Sequence, residues 1–95
     1  MQTTETAERN IGLDQFLSFM TMVISEVVDT PDRVYVGISQ ESSQNLFLKV
    51  AVKEKEVGQV VGKSGYLVRS LITIGQANLG KKGIEKRLHI DVSGN

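Results

Sequence analysis

The spacing of apolar residues switches between two periods along this chain, and the order of the switches leaves few folds open. Over residues 13–28, Leu13, Phe16, Leu17, Met20, Val23, Ile24, Val27 and Val28 recur every three or four positions, which predicts an amphipathic helix. Pro31 ends it, because a proline disfavours helix at Thr30 and has no backbone donor. Residues 33–38 then alternate, with Val34, Val36 and Ile38 on one side of a strand. After a polar loop over 39–45, residues 46–52 alternate again, with Leu48, Val50 and Val52 inward. Helical spacing returns over 53–61, with Val57, Val60 and Val61 on one side and Gly62 as the stop. A further helix opens at Gly65 or Tyr66, carries Val68, Leu71, Ile72, Gly75 and Leu79 as its stripe, and ends at Gly80-Lys81-Lys82-Gly83. Residues 86–92 form a third strand with Leu88, Ile90 and Val92 inward, which leaves His89 outward as an exposed strand residue.

Strands with one apolar face need a cover, and three amphipathic helices supply it. The expected fold class is therefore α+β: a two-layer sandwich in which three helices cover a three-stranded mixed sheet, in the order α-β-β-α-α-β. The last two strands are joined through two helices, a connection long enough for them to run parallel. Ninety-five residues fit one domain, expected over 13–92, with a flexible N-terminal extension over 1–12 and a short tail over 93–95. Gly75 inside a helix costs about 1 kcal/mol relative to alanine, so close packing is expected there. Phe19 and Met22 widen the apolar face of the first helix beyond one stripe, as a surface for a partner subunit would.

Composition excludes several classes of function. The chain has no cysteine and a single histidine, so it offers neither thiolate nor clustered imidazole ligands, and neither a metal nor another cofactor is expected. The first ten residues, MQTTETAERN, read as neither signal peptide nor anchor, and no apolar stretch approaches the roughly 18 residues of a membrane span. A reducing cytoplasm is the expected compartment. The carboxylates fall on helix or loop positions where solvated charge is the ordinary role, so an enzyme is not expected. Net charge is zero, yet residues 1–45 hold two basic against seven acidic side chains while residues 46–95 hold nine against four. The second half can present a positive face to an anion.

Within that half, Gly58 to Gly65 reads GQVVGKSG and resembles two phosphate-handling devices. A nucleotide-binding P-loop needs four residues between its first glycine and Gly-Lys-Ser, and it follows a buried strand. Here only three residues separate Gly58 from Gly62, and the stretch before them has helical spacing. The better reading is helix, Gly-x-x-Gly, helix. Two glycines two apart allow a tight reversal that lies close to a sugar-phosphate backbone, and the next helix points its free amides at the phosphate. Lys63 adds a charge in the turn itself.

The segment VVGKSGYLV, from Val60 to Val68, resembles the KH-domain signature, and the order of elements is similar to the type II KH fold. Within that fold the chain is most similar to the small stand-alone bacterial KH-domain RNA-binding proteins of the KhpA type. The resemblance implies that about four single-stranded nucleotides bind in a groove between the first core helix, the turn and the neighbouring strand. By position, it assigns Gly62, Lys63, Ser64 and Gly65 to the backbone and Val57, Val60, Val61 and Val68 to the groove floor, with Lys53, Tyr66 and Arg69 as further RNA contacts. Tyr66 stands where the family usually has a cation, and it either stacks on a base or caps the helix against the core. With fewer helix cations, Ile72 and Gln76 standing in their place, binding is expected to be weaker and less salt-sensitive than in a basic relative. The resemblance also implies a non-catalytic role on cellular transcripts, as an RNA chaperone or post-transcriptional regulator. It implies pairing too, as a homodimer or as a heterodimer with a larger KH-containing protein. The competing reading is a protein-interaction module that keeps the fold and binds little RNA.

Overall fold

A computed structural model describes residues 3–95, with side chains from Asn10 onward. The elements are α1 (Thr3–Ser25), β1 (Tyr35–Glu41), β2 (Asn45–Val52), α2 (Val57–Val61), α3 (Tyr66–Lys81) and β3 (Arg87–Gly94), with short 3-10 turns at Pro31–Arg33, Glu54–Glu56 and Lys63–Gly65. The sheet has the order β1-β2-β3. β1 runs antiparallel to β2, and β3 runs parallel to it. This is the α+β sandwich with a mixed three-stranded sheet that the apolar periods predict.

The period-two residues set the layers. Leu46, Leu48, Val50 and Val52 of β2 are fully buried, and they share the core with Phe16, Met20 and Ile24 of α1. Each such side chain stabilises the fold by about 1.5–3 kcal/mol relative to an exposed one. Val36, Ile38, Ile90 and Val92 complete the inner face of the sheet as half-buried neighbours of that cluster. α3 closes the layer with Leu71 and Leu79. Gly75 explains how it comes so close: a Cβ there would lie 2.6 Å from Leu88 Cδ2 and 3.2 Å from Met20 Sδ.

Several boundaries differ from the sequence reading. α1 reaches back to Thr3, through most of the stretch expected to be an extension; Met1 and Gln2 lie outside the described residues. Residues 3–12 carry no apolar stripe, so periodicity is blind to them. Helix propagation needs only one new hydrogen bond per residue once a packed segment has nucleated it. β1 starts two residues later than expected and carries a register shift between Ile38 and Gln40. β3 runs on to Gly94, and Asn95 donates its backbone N–H to Val52 O at 2.8 Å, so residues 93–95 continue the sheet instead of leaving it. Among the described residues no helix is long and apolar enough to cross a membrane.

Candidate nucleic-acid interface

Backbone geometry sets the turn between α2 and α3 apart: among the described residues, three of the four with positive φ lie in it. Gly62 has φ 78° and ψ 172°, Ser64 φ 54° and ψ 29°, and Gly65 φ 75° and ψ 14°. The Gly62 region is essentially closed to residues with a side chain. A Cβ there would also lie 2.7 Å from Leu67 Cβ and 2.8 Å from Leu67 N. Ser64 is the one non-glycine residue with positive φ among those described, a conformation that costs about 1–2 kcal/mol. Arg69 offsets this by donating from Nη1 to Ser64 O at 2.7 Å, across the mouth of the turn.

This geometry determines which donors face outward. The Gly62 N–H is held by Gly58 O at 2.9 Å and the Gly65 N–H by Gly62 O at 3.1 Å. Among the described residues, no partner takes up the amides of Lys63 and Ser64. Both side chains are exposed, and the N-terminus of the 16-residue α3 begins at Tyr66. Two free amides, one ammonium and the positive end of a helix dipole form an arrangement suited to a phosphate.

The valines expected to floor a groove divide into two groups. Val60 is fully buried and belongs to the core, so its assignment to the groove is corrected. Val60 is the residue of α2 that is enclosed when the helix docks on the core. Val57 is half-buried against the same cluster. Val61 and Val68 flank the turn, half-buried and outside the core cluster, where their apolar surface is accessible. Tyr66 is 67% exposed, so its ring does not cap the helix against the core. Arg69 is exposed but tied to the turn, while Lys53 precedes the 3-10 turn Glu54–Glu56, one helical segment upstream.

Other residues position α2, and periodicity does not reveal them. Glu56, only 3% exposed, accepts from Thr30 N at 3.2 Å and from Thr30 Oγ1 at 2.6 Å. Gln59 Nε2 adds a bond to Asp29 Oδ2 at 3.0 Å. These contacts pin the helix before the turn to the loop after α1. On the other side α2 packs against β3, the edge strand. Gln76 has a structural role: its Nε2 donates to Lys86 O at 2.5 Å and its Oε1 accepts from Leu88 N at 2.9 Å, which sets the start of β3. In a sequence, a glutamate before a short helix looks like any solvated charge, and a glutamine in a helix looks like surface.

With this geometry in place, comparison with known proteins gives one clear similarity. The chain is 26% identical over 70 residues to the RNA-binding protein KhpA of Oceanobacillus iheyensis. The chain resembles KhpA. The match covers 74% of this chain and 89% of that protein, far more than the turn alone. The fold is consistent with a KH domain. No family model matches the chain, and no solved structure matches it at a significant level.

Proposed function

We propose that the chain binds single-stranded RNA without catalysing a reaction, as a cytoplasmic RNA chaperone or post-transcriptional regulator. The turn at 62–65 carries this reading: two glycines that bring the backbone close, two unpartnered amides, Lys63, and a helix N-terminus all converge on one place a phosphate can occupy. Gly62, Lys63, Ser64 and Gly65 hold the sugar-phosphate backbone. Val61 and Val68 lie beneath the bases, and the exposed Tyr66 ring stacks on one of them. The RNA-binding relative supports the choice of ligand.

Titration of a short labelled single-stranded RNA tests this with a Lys63→Asp, Ser64→Asp double variant. Aspartate tolerates the left-handed conformation of Ser64 better than most residues, so the turn survives the change. Affinity is expected to fall at least about tenfold, since a charge-assisted contact is lost and two negative charges face the phosphate. Unchanged affinity in a folded variant refutes the site.

Pairing with a second copy or with a larger KH-containing protein has one supporting observation: Met22 is 54% exposed on α1, whereas Phe19 packs against the core. A stable protein complex together with no RNA binding at low salt would replace the first reading with that of an interaction module.

A further inference from the structure

The face of the sheet opposite the helices carries a feature that the groove does not use. Phe47 on β2 and His89 on β3 are direct register partners, and their rings stack with centroids 4.4 Å apart and planes 11° from parallel. His89 Nε2 lies 2.9 Å from Asn45 Oδ1; with that oxygen accepting, Nε2 carries the proton and the ring is held upright. β3 is an edge strand, so no further strand covers the far side of His89. On the β1 side Phe47 faces its register partner Gln40, while Tyr35 folds over Gly37, opposite Lys49. The stack is thus open at one end, along the strand whose helix-side flank is packed by α2. Lys49 and Arg87, both exposed, alternate onto the same face two residues from Phe47 and His89, with Asp91 beside Lys49 as the opposing charge.

We propose that this pair is a base-stacking subsite: an unpaired RNA base closes on the free face of His89, and Lys49 and Arg87 take the adjacent phosphates. The proposal rests on the reading that the chain binds single-stranded RNA, and it places the nucleotides beyond the roughly four held by the groove around the edge of β3. Two half-buried rings set among polar side chains provide too little continuous apolar surface for a protein interface, which needs roughly 800 Å² per partner. Such a surface suits a flat base flanked by phosphates.

The experiment compares labelled rA5, which fills the groove, with rA12, which extends past it, on wild type, His89→Ala and His89→Phe, each confirmed folded by its thermal melt. His89→Ala is expected to lower affinity for rA12 at least about fivefold and to leave rA5 unchanged, while His89→Phe, which keeps a ring, retains rA12 binding. In wild type, the His89 ring protons should move upfield on adding rA12 but not on adding rA5. Wild-type affinity of His89→Ala for rA12 overturns the proposal, as does an equal loss in His89→Phe. If Lys63→Asp, Ser64→Asp leaves rA5 binding intact while His89→Ala still weakens rA12, the groove reading fails and the subsite stands. If wild type binds neither RNA, both fail.

Discussion

Adding one methyl group to each glycine of the turn should give two different results, although the glycines look equivalent in the sequence. At Gly62, alanine meets two penalties. Its φ of 78° with ψ 172° costs a residue with a side chain about 1–3 kcal/mol. The new Cβ also lies 2.7 Å from Leu67 Cβ and 2.8 Å from Leu67 N, in the first turn of α3. A backbone atom cannot rotate away, so the contact is relieved only by separating α2 from α3, a cost typical of overpacking, about 1–3 kcal/mol. A central value for the sum is about 4 kcal/mol, which for a domain of this size lowers Tm by roughly 16–32 °C. At Gly65 the conformation is ordinary left-handed helix, φ 75° and ψ 14°, and the contact at 3.0 Å is Arg69 Nη1, the end of an exposed side chain that can swing aside. Gly65→Ala should cost only about 1 kcal/mol and roughly 4–8 °C, and Gly65→Asn less, because asparagine tolerates this region. Urea and thermal denaturation of the three variants measure the difference. A Gly62→Ala protein as stable as Gly65→Ala would refute the argument, because the two predictions differ through the ψ of each glycine and through what its Cβ would meet.

Two further variants probe the supports of the site. Ser64→Gly should raise stability by about 1 kcal/mol by removing the left-handed penalty, and Arg69→Met should lower it by a similar amount. The acceptor of Arg69 is the backbone carbonyl of residue 64, which glycine keeps, so in the double variant the Arg69 loss should persist and the two effects should add, which a double-mutant cycle reads directly. Glu56→Ala leaves both Thr30 donors without their acceptor in a buried setting and should cost about 2–4 kcal/mol in urea unfolding, whereas Glu56→Gln keeps one acceptor and should lose about half as much.

The parts of the fold legible in the sequence are those set by near neighbours. Val50 and Val52 are inward because side chains alternate along any strand, and Leu71, Gly75 and Leu79 share a face because of the helical repeat. The turn at 62–65 was legible for the same reason: positive φ belongs to a residue and its immediate chain, and glycine marks it. Val60 shows the limit. Helical spacing puts it on one side with Val57 and Val61, but only docking of α2 decides which of the three is enclosed.

The sequence by itself therefore determined the order of elements and the place of the Gly-x-x-Gly turn, because each follows from interactions within a few residues, and the mixed sheet, because the connection between the last two strands is long enough for a parallel pair. Tertiary structure alone decided that Glu56 lies buried against Thr30, that Gln76 holds the start of β3, and that His89 stacks on Phe47. The pairs Thr30–Glu56 and Phe47–His89 are brought together by packing and strand register across tens of residues, and Gln76 reaches β3 only through the docking of α3. Alternation fixes which face of each strand is buried, while the residue of β3 that lies opposite a given residue of β2 is set by pairing across about forty residues of chain.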